Sequence, residues 1–461
     1  MVPTQSHEMS FTSGGFAVFA AAYLALHLLL ITRGSGVRTR NLLLACGSLA
    51  FYGAWYPPAV LLLLYHAGLA RVLAPALKRA PRPAALMGVV LALAPLAVFK
   101  YWDFFLGLAA SQGGYLNVLL PIGISFYTFT MVGYYLDVRA ARVAPHQDFV
   151  ELLVLVAFWP HLAAGPILRA PAMFAAMARP LCIDRARAEL AFVLIALGLA
   201  KKLLIADHAG AWVDWNLSFG VAGMGALEAW LTLAGFGAQI YADFSGYSDM
   251  AIGFALLLGF RLPANFAYPY GARSPAAFWR RWHVSLSNWF RDYVYLPLGG
   301  ARRDAGRRTI NLMTVFLLSG LWHGAAVHFV LWGAYHGIVV VVSKWLAPRL
   351  PPLPRALGTA LTLLAVTLGW ALFRLDAPTA LTLAGRLFAP AAREGLPYAH
   401  FALLVPLAGV ALDHAVQLYR VDDSGHPTLA GRRWPVLVAA ALLPLAVVFR
   451  GESQPFIYFQ F

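Results

Sequence analysis

Charge is scarce in this chain: Asp, Glu, Lys and Arg together make up 12% of its 461 residues, where a soluble domain carries roughly a quarter. With 61% hydrophobic residues, too little polar surface remains to coat a set of water-soluble domains, which excludes that class. Cysteine is nearly absent. Cys46 and Cys182 are the only two, one in an apolar stretch and one in a loop, so there is neither a disulfide scaffold nor a CxxC site. Acidic residues number 20 against 35 basic ones, a formal charge of +15. The basic excess sits in short loops between apolar stretches, as it does on the cytoplasmic side of membrane proteins, so it argues for topology and not for nucleic acid. No GxxxxGK[ST] or GxGxxG phosphate cradle and no GxSxG elbow occurs, and no internal repeat, low-complexity tract or linker divides the chain. A single membrane-embedded domain over residues 1–461 is expected.

What is present is hydrophobic length. Mean hydropathy is +0.68, and apolar stretches that suit spanning helices recur throughout, among them 16–31, 41–65, 84–99, 117–136, 149–165, 226–241, 244–260, 309–320, 326–346, 356–374, 401–419 and 434–449. No basic residue precedes Phe16, while Arg33, Arg38 and Arg40 follow the first stretch. That order predicts a retained first helix with its N-terminus outside and Arg33–Arg40 in the cytoplasm. Basic residues flank 41–65 on both sides (Arg33–Arg40, then Arg71, Lys78, Arg79 and Arg82), which predicts a re-entrant hairpin turning at Tyr56-Pro57-Pro58. The stretches 149–165 and 309–320 are short and expected to be broken at Pro160, Gly165 and Gly320, so their backbone must line a cavity or be buried in protein.

Residues 261–308 differ, holding nine arginines among many aromatics. On a helical wheel Arg280, Ser287 and Arg291 share one face, and Trp279, Trp282, Leu286, Trp289 and Phe290 fill another. The pattern predicts an amphipathic helix at the cytoplasmic interface, most of it a membrane anchor.

Ionisable groups inside apolar stretches are costly, so each is a functional candidate. His323 lies in LLSGLWHGAAVHFVLWGAYHG, flanked by Gly320 and Gly324 in a 309–346 window without Asp or Glu. An imidazole can take a proton from a hydroxyl and return it to a leaving group, which acyl transfer requires; it is equally a core histidine bonded across helices. His328 and His336 suit the packing role better. His283, in WRRWHVSLSNWFRDYVY, can reach inward or remain interfacial. Asp243 and Asp249, in QIYADFSGYSDMAIG, read first as caps of a helix entering at Gly246–Met250, and otherwise as groups that orient a histidine, bind a cation or accept a proton. Zinc on His323 and His328 is disfavoured by their spacing and the lack of a third ligand type. Cys182 lacks a positioned base for an acyl relay.

YADFSGYSDMAIGFALLLGF, ANFAYPYGARSPAAFWRRWHVSLSNWFRDYVYLPLGG, SGLWHG and the closing FIYFQF together resemble the bacterial branch of the membrane-bound O-acyltransferases, nearest the members that serve alginate O-acetylation. PIGISFYTFTMVGYYLDV and FWPHLAAGPILR look like upstream blocks of the same family. The resemblance implies an all-α polytopic membrane fold: a ring of tilted helices with a thinned centre, plus re-entrant and interfacial amphipathic helices. It implies an O-acyltransferase with His323 catalytic as general base and His283 its partner, supported by Asp243, Asp249, Trp322, Asn288 and Arg291. It further implies no permanently bound cofactor, an acyl thioester such as acetyl-CoA as cytosolic donor, and an outward-facing exopolysaccharide or periplasmic acetyltransferase as acceptor, in the bacterial inner membrane. Arg302–Arg308 would attract an anionic donor or simply mark the inner side. Related members acetylate cellulose or peptidoglycan or pass D-alanine to teichoic acid, and a proton-coupled transporter without acyl chemistry or a structural scaffold for a secretion complex remains as an alternative of a different class.

Overall fold

In lipid every backbone amide needs an internal partner, so a chain rich in Ala, Leu and Val crosses as helices. In a computed structural model the described residues form twenty α-helices and one two-stranded hairpin. These residues are 10–77, 82–108, 119–162, 164–180, 183–390, 397–431 and 433–459. The expected outward N-terminus at 1–9, Lys78, Arg79, Cys182 and the last two residues of the FIYFQF motif lie outside them. The all-α polytopic expectation holds: five helices are long and apolar enough to cross a membrane, Gly14–Thr32, Pro57–Leu77, Leu86–Gly107, Val327–Leu346 and Arg355–Arg374. The chain forms two compact units, residues 1–191 with 250–262, and residues 192–249 with 263–461.

The first unit contains α1 (Gly14–Thr32), α2 (Val37–Trp55), α3 (Val60–Leu77), α4 (Arg82–Leu96), α5 (Trp102–Leu108), α6 (Ile124–Arg139), α7 (Phe149–Ala157), α8 (Trp159–Leu162) and α9 (Ala170–Met177). The chain breaks at Tyr56-Pro57-Pro58 as expected, where a 3-10 turn over Pro57–Ala59 joins α2 to α3. The two arms of 19 and 18 residues outrun the 41–65 window, and at 1.5 Å per residue each is about 27 Å or more. Of the two, the arm that contains α3 is among the helices apolar enough to cross and α2 is not. Arg40, expected in a loop, belongs to α2 and is buried, its guanidinium donating to the carbonyls of Met177 (2.6 Å) and Arg179 (2.7 Å) at the end of α9. An aromatic cluster fills the interior: Phe16 lies 5.3 Å from Phe254 and 5.8 Å from Trp159, ring to ring. The break expected near Pro160 is present, because α7 stops at Ala157 and α8 is a single turn.

The second unit takes in α10 (Arg185–Ala200) from Phe192, a π-helical turn over Lys201–Ala206, α11 (Asp207–Ser218) and α12 (Ala226–Leu257) as far as Asp249. It continues with α13 (Pro275–Trp279), α14 (Val284–Phe290), α15 (Ala305–His323), α16 (Val327–Leu346), α17 (Arg355–Arg374), α18 (Ala377–Arg386) and α19 (Pro397–Val416). Strands β1 (Tyr419–Val421) and β2 (Pro427–Leu429) pair antiparallel before α20 (Trp434–Val448).

Three local expectations change here. The stretches 226–241 and 244–260 are one helix, so Asp243 and Asp249 sit inside α12 and cap nothing. Lysines neutralise both carboxylates, and their polarity therefore does not interrupt the helix. Gly320 does not break α15, which runs through it to His323. It lets α15 and α16 touch: a Cβ at Gly320 would run into the Phe329 carbonyl and lie 3.3 Å from the Gly333 Cα, and a Cβ at Gly333 would run into the Phe316 carbonyl. Finally, the amphipathic helix expected within 261–308 is not one surface helix but α13 and α14, separated at Arg280–His283. Of the expected apolar face, Trp282, Leu286, Trp289 and Phe290 are buried in protein and Trp279 is half-buried, so that face is core and not a membrane anchor.

Candidate active site

His283 is placed by a loop, not by helical periodicity. The Ala267 N–H donates to the Arg281 carbonyl and the Val284 N–H to the Asn265 carbonyl, both at 2.9 Å, while the Ser285 hydroxyl donates to Asn265 Oδ1 at 2.9 Å. These bonds pin 281–285 to 265–267 and force His283 into the left-handed region, φ +43°, just before α14. His323 is the last residue of α15, with Gly324 extended behind it.

The two imidazoles are 2% and 4% exposed, respectively. Their ring centroids are 6.4 Å apart, which keeps the ring nitrogens at least about 4 Å apart, beyond a hydrogen bond. The two histidines therefore share no direct hydrogen bond. Aromatic rings wall the pair. Trp322 lies 5.5 Å from His283 and 5.0 Å from His323, Trp332 lies 5.0 Å and Phe373 5.2 Å from His323, and Phe244 lies 4.6 Å from His283.

Both histidines line a cavity of about 420 Å³, together with Asn288 and Arg291. The expected residues His323, His283, Asn288 and Arg291 thus share one space, and Trp322 packs behind it. Arg280, Arg291 and Lys344 line the same cavity and are exposed, so positive charge stands at its exposed rim. Among the described residues no carboxylate lines it, although Asp292 pairs with Arg291 at 2.8 Å. Lys344 went unremarked in the sequence because it lies in a different helix, 61 residues beyond His283. Arg302, Arg303, Arg307 and Arg308 are exposed and do not line the cavity.

Asp243 and Asp249 do not line it either. Lys201 Nζ bonds Asp249 at 2.9 Å and reaches Asp413 at 3.4 Å; Lys202 Nζ meets Asp207 at 2.7 Å and Asp243 at 3.0 Å. All these side chains are buried. Tyr241 donates to Asp413 (2.6 Å) and Tyr419 to Asp249 (3.1 Å), so the charges are also hydrogen-bonded, as buried ions must be. His328 contacts the Leu372 carbonyl at 2.9 Å, and His336 is packed 4.9 Å from Trp279 and 5.0 Å from Trp332, both consistent with packing roles.

A helical membrane protein with two buried histidines on a cavity that opens among cations has the parts of a transferase acting inside a bilayer. Residues 139–354 match MBOAT, the membrane-bound O-acyltransferase family, and the chain belongs to that family. It is 38% identical over 386 residues to the probable alginate O-acetylase AlgI of Pseudomonas aeruginosa, covering 80% of this chain and 72% of that protein. It is 37% identical over 403 residues to the protein of the same description from Pseudomonas syringae pv. tomato (82% and 74%), and 32% identical over 323 residues to the peptidoglycan O-acetyltransferase of Helicobacter pylori (63% and 61%). The protein is a multi-pass membrane O-acyltransferase.

Proposed function

We propose that the protein transfers an acetyl group from a cytosolic thioester to an outward-facing acceptor in alginate-like exopolysaccharide O-acetylation, with His323 as general base. The acceptor is either the polymer or a periplasmic acetyltransferase. One observation carries the reading: His323, only 4% exposed at the end of α15, is nonetheless a lining residue of a cavity. The acceptor hydroxyl loses its proton to His323 as its oxygen attacks the thioester carbonyl; the C–S bond then breaks, and the proton passes to the departing thiolate. His283, whose ring stands 6.4 Å from that of His323, orients that hydroxyl or the carbonyl. Aromatic walls exclude the water that would otherwise hydrolyse the thioester. Arg280, Arg291 and Lys344 suit the phosphates of acetyl-CoA as donor. The inner membrane and an outward N-terminus accord with this direction of transfer.

The test is acetylation of the exported polymer in cells carrying His323→Ala. The variant inserts at the normal level and leaves the polymer unacetylated; undiminished acetylation rejects the role.

A further inference from the structure

Tyr458 is brought beside the two histidines by a short segment whose anchors are buried charges. Its ring centroid is 5.6 Å from His323, 6.4 Å from His283 and 4.4 Å from Phe244. Neither a long helix nor a strand holds it; a 3-10 turn over Ile457–Phe459 follows Gln454–Phe456. Ordering such a segment costs backbone entropy at every residue, so it needs strong ties.

Those ties come from Lys202 and Asp243. The Lys202 ammonium has three N–H groups and three partners: Asp207 at 2.7 Å, Asp243 at 3.0 Å and the Gln454 carbonyl at 2.8 Å. Asp243 Oδ2 accepts the Ile457 N–H at 2.7 Å. Each member of the ion pair therefore holds one end of the Gln454–Ile457 stretch, and Phe456 packs its ring 4.4 Å from that of Tyr247 between the two ties. A buried ion pair is a poor source of stability in its own right, since desolvation offsets its attraction. It is a good source of fixed geometry, because removing either partner strands the other.

We propose that Lys202 and Asp243 are positioning residues for acyl transfer: they clamp Gln454–Phe459 so that Tyr458 forms one wall around His323 and His283. This rests on the proposed function above. Neither residue touches substrate; each acts through the clamped segment.

The experiment uses the full chain in lipid nanodiscs, with acetyl-CoA as donor, an alginate oligosaccharide as acceptor, and hydrogen–deuterium exchange of the peptide covering 454–459 as an activity-independent readout. Asp243→Leu removes both the charge and the acceptor; Asp243→Asn keeps an acceptor for the Ile457 N–H. Ile457→Pro removes the donor, at the first position of a short helical turn where proline is tolerated, together with a buried side chain; Ile457→Ala, which trims that side chain and keeps the donor, is its control, and the pair serves if Asp243→Leu fails to fold. Asp243→Leu and Ile457→Pro are expected to speed exchange in the peptide and lower kcat about tenfold with KM for the donor unchanged, the scale of one lost charge-assisted hydrogen bond, while Asp243→Asn stays within about threefold of the native rate. Faster exchange with unchanged kcat, a lower kcat with unchanged exchange, or equal losses in Asp243→Asn and Asp243→Leu would each overturn the positioning role alone. A native chain without transfer activity overturns the proposed function, and the positioning role with it.

Discussion

The ring of His283 stands 6.4 Å from that of His323, and the backbone that carries it there is left-handed. Side chain and backbone can be separated by substitution. Replacing His283 with Gly removes the imidazole and leaves the turn relaxed, whereas Ala removes it and strains the turn by about 1 kcal/mol. Both variants should lose acetyl transfer to a similar extent, with Ala melting at the lower temperature. Equal melting temperatures would show that the turn is not under steric demand.

His323 is expected to contribute more. General base catalysis by one positioned group is worth about a hundred- to ten-thousandfold, so His323→Ala and His323→Gln should lower kcat by that order. Single-turnover transfer from radiolabelled acetyl-CoA measures it directly.

Lys344 and Arg280 line the cavity without touching either histidine ring in the described contacts. Lys344→Met should raise KM for an anionic donor by about fivefold at low ionic strength and leave kcat nearly constant, with the difference shrinking as salt screens the charge. A kcat effect without a KM effect would remove these cations from donor capture.

The contact between Gly320 and Gly333 leaves no room for a methyl group. Gly333→Ala should destabilise the protein by about 1–3 kcal/mol through forced separation of α15 and α16, and transfer should fall in parallel as His323 moves with its helix. Thermal unfolding in detergent alongside the transfer assay tests both statements.

Asp304 caps α15, its side chain accepting the Arg307 N–H at 2.9 Å, and that bond holds its exposed carboxyl below the ordinary carboxylate range. A depressed folded-state value means the cap stabilises above the unfolded value of about 4 and fades as pH falls through the folded one. Asp304→Ala should therefore melt lower than the native chain at neutral pH and match it in acid.

The helical, membrane-spanning character of the chain was legible because apolar length is a local property. The SGLWHG and RRWH motifs likewise placed His323 and His283, and both line one cavity. What escaped the sequence was set by tertiary partners. A hydropathy dip at Asp243 and Asp249 imitates the end of a helix unless their lysines, Lys202 and Lys201, well upstream in the chain, are known to meet them. The bend at His283 depends on bonds to 265–267 that no helical wheel contains. Tyr458 was visible only as part of the closing aromatic motif, since its neighbours at 283 and 323 are remote in the chain.

Lys201 and Lys202 are adjacent in sequence yet serve different acids, the first joining Asp249 to Asp413 and the second joining Asp207 to Asp243. They do so from the start of a wide turn, Lys201–Ala206, set into an otherwise regular helix. Gaining or losing one residue there would rotate everything beyond it by about 100° and scramble which ammonium faces which acid. Drift in this part of the chain is therefore confined to swapping side chains at fixed length, while insertions and deletions belong to the exposed loops.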